Sequence, residues 1–153
     1  MTLKKSYEAI QKRFGLPPFE DVDDAFSLSS LDTDVLTVKE IGQRVIERLG
    51  EFARTIEDLL HPDGGRFAYL MESNAFSDED RKNLFVLYRK LMLKTRQWMV
   101  LDLEGDEQRQ GAFLRELFKD WKTIRSRLMA MGKQLCEVWE KDSLSKADLE
   151  YLG

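Results

Sequence analysis

The sequence predicts an all-α fold, an up-down bundle of three long helices completed by short N-terminal and connecting helices. Only three prolines and nine glycines interrupt the 153 residues. Leu, Glu, Lys, Arg and Met, which favour helices over strands, are abundant. Apolar residues also recur at steps of three or four along every long segment. With 42% apolar residues, the chain can form the core of a single domain over 1–153.

The first two segments are a short helix and an acidic connector. A helix is predicted over 3–14, because apolar residues recur at helical spacing between a capping Thr2 and a stop at Gly15. Residues 15–36 carry six acids and no lysine or arginine, which predicts a connector. One helical turn is expected after Pro18. It would bury three apolar side chains, Phe19, Val22 and Phe26.

The first long helix is predicted over 37–60. Thr37 and Glu40 have the spacing of a capping box, and the apolar residues that follow form one stripe. Turn residues beginning at His61 end this helix. The short apolar segment at 67–76 is then expected to cover one end of the bundle.

The remaining long helices are predicted over 77–103 and 106–141. Ser77 followed by three acids favours a helix start, and the last helix has an unbroken three–four apolar repeat. So short a turn makes the two helices antiparallel neighbours. Residues 143–153 are expected to form a frayed C-terminal tail.

Side-chain sizes suggest how this antiparallel hairpin packs. The register set by the short turn places Trp98 against Gly111 and Ala112, so that a large ring meets small residues. The apolar repeat also predicts that Trp121 is a buried core residue.

The residues that catalysis requires are scarce. The single histidine, His61, stands beside a proline at a helix end, which predicts a surface or capping role. The single cysteine, Cys136, adjoins a core position, which predicts a buried, unreactive thiol. The sequence has no zinc, di-iron or calcium motif and no phosphate-binding glycine loop. We therefore expect a protein that is not an enzyme and has no cofactor and no metal.

Composition also predicts where the protein resides. One cysteine cannot form an internal disulfide, and no Asn-x-Ser/Thr glycosylation acceptor occurs. No uncharged stretch approaches the roughly 20 residues of a membrane span. These features predict a cytoplasmic protein with no membrane association.

Charge is distributed unevenly along the chain. The net charge is −4, yet residues 81–133 carry 13 basic and six acidic residues, a net of +7. Six of the basic residues form two helical stripes and are the predicted binding face: Lys82, Arg89, Arg96, Arg115, Lys119 and Lys122. Three interpretations stay open, namely a solvated face partly neutralised by the acidic connector, an acidic protein partner, and the phosphates of RNA or DNA.

The functional hypothesis is a non-enzymatic protein–protein interaction or scaffold domain. The alternative is a nucleic-acid-binding accessory protein that uses the basic hairpin at 81–133. Against nucleic acid, no exposed-looking aromatic residues or glycine-rich loops alternate with the basic residues. A ligand-binding bundle, or an enzyme acting on a substrate-supplied metal, is the third hypothesis. A homodimer also stays open.

Overall fold

The computed structural model describes residues 2–140 together with Leu149 and Leu152, and this part of the chain is helical without strands. Most of the predicted C-terminal tail, 143–153, lies outside the described residues. The elements in order are α1 (Leu3–Phe14), α2 (Phe19–Phe26), a 3-10 turn (Leu28–Ser30), α3 (Val38–Leu60), α4 (Phe67–Ser73), α5 (Asp78–Glu104) and α6 (Glu107–Glu140).

The three long helices α3, α5 and α6 pack as a helical bundle, which confirms the predicted fold class. Their bounds agree with the predicted ones to within a residue. The predicted connector contains two full turns of helix, α2, where the sequence suggested one.

Side-chain caps explain where several helices begin. The Thr2 hydroxyl accepts from the backbone N–H of Lys5 at 3.2 Å. The Thr37 hydroxyl likewise accepts from the N–H of Glu40 at 3.1 Å. At the start of α5, the Ser77 hydroxyl accepts from the N–H of Asp80 at 3.1 Å, while the Ser77 N–H donates to the Asp80 carboxylate at 3.2 Å. These bonds satisfy amides that a helix N-terminus otherwise leaves without partners.

Backbone contacts divide the described chain into two compact units. The first unit comprises the chain from α1 to Glu51 and residues Leu91–Lys122. The second comprises Phe52–Lys90 and α6 from Thr123 onward. The long helices therefore contribute residues to both units.

In the first unit, two aromatic rings pack directly on glycines and fill the space that a Cβ would take. The indole of Trp98 lies over Gly42 of α3, where a Cβ would be 2.0 Å from the ring atom Cη2. The ring of Phe14 lies over Gly111 of α6, where a Cβ would be 2.2 Å from Cδ1. The predicted packing of Trp98 against Gly111 is therefore wrong. The Phe14 ring packs on Gly111. On α6, Trp98 contacts Phe113 instead, with ring centroids 5.8 Å apart.

The acidic connector is part of the first unit and packs there through α2. Val22 and Phe26 of α2 are buried, as the sequence predicts, and Phe19 is partly buried. The Phe26 ring lies 4.8 Å from the ring of Trp121, centroid to centroid. Trp121 itself is only partly buried, so its predicted place in the core is wrong. Its ring packs against α2 at the edge of the core.

In the second unit, one arginine joins α5 to the ends of α3 and α4. The Arg81 guanidinium donates to the carbonyl of Ser73 at 2.8 Å, to its hydroxyl at 2.5 Å, and to the carbonyl of Leu59 at 3.4 Å. Ser73 is buried and also donates to the Leu59 carbonyl at 2.8 Å. These bonds satisfy carbonyls at helix C-termini.

The end of α6 meets α4 in the second unit. The Trp139 indole N–H donates to the Glu72 carboxylate at 3.1 Å, so the segment 67–76 meets this end of α6. Trp139 is nevertheless 54% exposed, so the predicted cover is incomplete. Cys136 is exposed, so the predicted burial of its thiol is wrong. The apolar repeat continues through this end of α6, whereas Leu135 and Val138 are only partly buried.

Candidate functional site

The surface of α5 combines positive charge with exposed apolar side chains. Between Arg81 and Leu101 this helix has six basic residues and no acidic one. Its large exposed apolar side chains are Phe85, Val86, Leu93, Met99, Val100 and Leu103. Exposed apolar residues scattered singly are ordinary, whereas a series of them on one helix indicates a contact surface.

A groove of about 580 Å³ runs between α5 and α6 in the first unit. Its apolar lining consists of Val100, Leu101, Ala112, Phe113 and Leu117. Leu101 and Leu117 are buried and form the base, while Val100 is 49% exposed at one edge. The polar lining residues are Lys94, Gln97, Arg109 and Glu116.

Ion pairs hold several polar side chains around this groove. Lys94 donates to the Asp120 carboxylate at 3.1 Å and thereby joins α5 to α6. Arg109 pairs with Glu104 across the α5–α6 turn. Glu116 lies 3.3 Å from the ammonium of Lys119. Glu116, the one carboxylate in the lining, is thus already paired with a cation of the same unit.

Helical geometry places cations beyond both edges of the groove. A helix turns by roughly 100° per residue, so Arg96 lies about 40° around α5 from Val100. On α6, Lys119 lies about 20° around the helix from Ala112 by the same geometry. Arg96 and Lys119 are both exposed. An exposed cation therefore lies beside each wall of the groove, while one lining residue of α6, Glu116, is acidic.

The six residues of the predicted binding face are all exposed. Arg96, Arg115, Lys119 and Lys122 belong to the first unit. Arg96 and Lys119 lie beside the groove, whereas the Arg115 side chain lies 3.7 Å from the position of a Cβ at Gly15, which follows α1. Lys82 and Arg89 belong to the second unit. Within the part of the chain that the structure describes, no ion pair joins these six residues to an acid of the connector.

The sequence identified these cations but not the α5–α6 groove. The available signal was the broad apolar surface of α5, which extends well beyond the single stripe that a bundle helix needs. The expectation that no exposed aromatic residue accompanies the cations is also wrong. Phe85 is 51% exposed and stands between Lys82 and Arg89 in the sequence of α5.

Two other cavities are more polar. In the first unit, a pocket of about 380 Å³ contains Arg44, Arg48, Glu47 and Glu51, with Arg48 bound to Glu51 at 2.9 Å. The Nε atom of Arg44 is buried and has no hydrogen-bond partner among the described residues. In the second unit, a cavity of about 390 Å³ lies beside Asp80. Hydrogen bonds from Ser77 and from Gln134 lower the pKa of the Asp80 carboxyl below its usual range.

Among the described residues, side chains suited to catalysis or to metal binding are few. His61 is exposed after the end of α3, as the sequence predicts. The described part of the chain contains no group of three His, Cys, Asp or Glu side chains placed to hold a metal ion. None of its helices has the length and apolar character that crossing a membrane requires.

Comparisons with protein-family models, with curated proteins and with solved structures find no match to this chain.

Proposed function

We propose that this chain is a non-enzymatic helical domain that binds another protein, as an interaction or scaffold module, through the α5–α6 groove. The observation that supports this most directly is an apolar groove with Val100 half exposed at its edge, continued on α5 by Leu93, which is 58% exposed. Burying apolar surface contributes roughly 25 cal/mol per Å². A partner that covers these side chains would gain that free energy.

The composition supports a cytoplasmic setting for this binding. The one thiol, Cys136, is exposed, and a reducing compartment keeps such a thiol free. We place the module there as part of the proposal.

The experiment is affinity capture from the native lysate, with nuclease treatment, using matched variants. Val100→Asp puts a charge at the groove edge. Val35→Asp makes the same change at a 57% exposed valine of the connector. We expect a nuclease-resistant partner that wild type and Val35→Asp retain and Val100→Asp loses. Equal capture by both variants would contradict the proposed site.

Nucleic-acid binding is the second candidate function, and the exposure of Phe85 favours it, because an exposed ring beside cations can stack on a base. If phosphates bind the basic stripes, log affinity falls with log salt at a slope of about −0.7 to −0.9 per phosphate neutralised. Changing Arg89 and Lys119 to glutamate would then flatten that slope. Submicromolar, salt-sensitive binding of the wild type would place this function ahead of protein binding.

A further inference from the structure

Across its width, the groove of the first unit has apolar residues in the middle and charged residues on both sides. Apolar residues form its base, and its charged lining residues are Lys94, Arg109 and Glu116. The exposed cations Arg96 on α5 and Lys119 on α6 lie just outside this lining. Arg96 has no ion-pair partner among the described residues, and Lys119 has only Glu116, which also lies 3.6 Å from Arg115. The excess of cations therefore lies on α5, where Leu91–Leu101 has no acid, whereas on α6 Glu116 and Asp120 stand close to Lys119 in the sequence.

The shape of the groove indicates the form of its occupant. Two antiparallel helices form its walls, and a further helix lying along such a pair repeats the packing of a bundle. The apolar edge on α5 runs from Leu93 to Val100, a rise of about 10 Å or two helical turns. The described part of the chain offers no strand edge to which an extended peptide could add.

We propose that the α5–α6 groove binds an acidic amphipathic helix of a partner protein. Apolar side chains of that helix, spaced by three and four, would cover Val100 and Phe113 at the groove. Its carboxylates, on both flanks of the apolar stripe, would meet Arg96 on one edge and Lys119 on the other. This inference rests on the proposed function, because it specifies the partner segment for the same groove.

Charge argues against a second copy of this chain as the occupant. Two copies that met along this part of α5 would bring Arg96 of each copy close to Arg96 of the other, and Leu91–Leu101 has no acid to compensate. Like charges placed opposite each other disfavour a complex. The complement of this surface is acidic.

The probe is a displayed library of peptides of about 18 residues, or five helical turns. Each peptide has variable apolar residues on one stripe and glutamates on both flanks, and a matched library carries lysines in place of the glutamates. Binding to the full chain is measured by fluorescence anisotropy of the selected peptides. Wild type is compared with Val100→Asp and with the double variant Arg96→Glu/Lys119→Glu.

The controls are two exposed positions away from the groove. Val35→Asp makes the same change as Val100→Asp, and Lys12→Glu makes the same change as the Lys119→Glu half of the double variant. Circular dichroism and thermal melting of every variant establish that it is folded. We expect peptides from the glutamate library to bind wild type and both controls alike. Binding to Val100→Asp and to the double variant should be weaker by about tenfold or more, which corresponds to about 1.4 kcal/mol.

Several results would overturn this inference. They are equal binding from the lysine library, affinity unchanged in the double variant, and failure of any glutamate peptide to distinguish wild type from Val100→Asp. Self-association of the peptide-free chain that depends on Val100 would assign the groove to a second copy. Tighter groove-dependent binding of an RNA oligonucleotide or of anionic vesicles would assign it to those ligands. If capture from lysate stays sensitive to Val100→Asp while the peptides fail, the groove binds protein in another form and only the helix inference falls.

Discussion

The contact between Trp98 and Gly42 predicts that alanine substitutions at two glycines of α3 change the free energy of unfolding in opposite directions. Both Gly42 and Gly50 lie inside α3 and in the first unit. A Cβ at Gly50 would meet nothing within 4 Å, whereas a Cβ at Gly42 would lie 2.0 Å from the indole of Trp98. Replacing glycine by alanine inside a helix favours folding by up to about 1 kcal/mol when the space is open. Gly50→Ala measures that gain directly in the same helix.

At Gly42 a steric cost opposes this gain. Ordinary van der Waals contact begins at 3.4 Å, so the indole or the helix must move by about 1.4 Å or more. Trp98 is buried, and overpacking of a close-packed core costs typically about 1–3 kcal/mol. We therefore expect Gly42→Ala to lower the free energy of unfolding by about 1–3 kcal/mol. Gly50→Ala should raise it by up to about 1 kcal/mol.

The assay is urea denaturation, followed by circular dichroism at 222 nm and by tryptophan fluorescence. At this chain length, 1 kcal/mol corresponds to a shift of about 2–4 °C in the melting temperature, so thermal melting provides an independent check. Trp98→Leu supplies the test of mechanism, because removal of the indole should abolish most of the penalty of Gly42→Ala. If Gly42→Ala and Gly50→Ala stabilise the protein equally, Trp98 does not occupy this position and the packing described for the first unit is wrong.

Three further predictions concern α5 and α6. Gly111→Ala should destabilise the protein because its Cβ would lie 2.2 Å from the Phe14 ring, while Gly132→Ala, in open space on the same helix, should stabilise it; urea denaturation of both variants decides. Arg81→Ala removes hydrogen bonds to a hydroxyl and two carbonyls and should cost about 1.5–3 kcal/mol by the same assay, and a loss under 0.5 kcal/mol would contradict their role. Because the pKa of Asp80 is lowered by folding, its charge stabilises the protein above the unfolded pKa of about 3.9 and ceases to do so as pH falls through the folded value. The difference in melting temperature between wild type and Asp80→Asn should therefore shrink from pH 6 to pH 3, and a constant difference would contradict this linkage.

The helix positions were predictable because the signals for them are local. Thr2, Thr37 and Ser77 each stand where a hydroxyl can accept from a nearby amide, and the structure shows all three bonds. Gly15 ends α1 with φ of 69°, a left-handed conformation that glycine adopts without strain. Such features depend on residues three or four positions apart, so periodicity and capping chemistry determine them.

The packing partners of large residues were less predictable. Small residues on more than one helix can pack against the Trp98 ring. The antiparallel register of α5 and α6 identifies only those on α6. In the structure Trp98 packs on Gly42 of α3, because the Phe14 ring of α1 fills the space over Gly111. Which helix supplies the small residue depends on three elements far apart in sequence, and helical spacing carries no information about that choice.

Exposure along one helix was similarly hard to predict. Trp121, Val138 and Cys136 follow the apolar repeat of α6 or adjoin it, yet none of them is fully buried. A repeat identifies the side of the helix that faces inward but not how far neighbouring elements cover that side. The groove that carries the functional proposal was missed for the same reason, since its edge consists of α5 residues that no described element covers.

The hydrogen bonds of Arg81 have a practical consequence for the segment between α3 and α4. They attach the last turn of α3 and the end of α4 to α5 through Leu59 and Ser73, so the position of α4 does not depend on the length of the chain at 61–66. That segment is exposed over most of its length, and a Cβ at Gly64 would meet nothing within 4 Å. Exposed connections of this kind tolerate added residues. A fluorophore, an epitope or a short peptide inserted at Gly64 would therefore report on the protein while leaving the helices on either side in place.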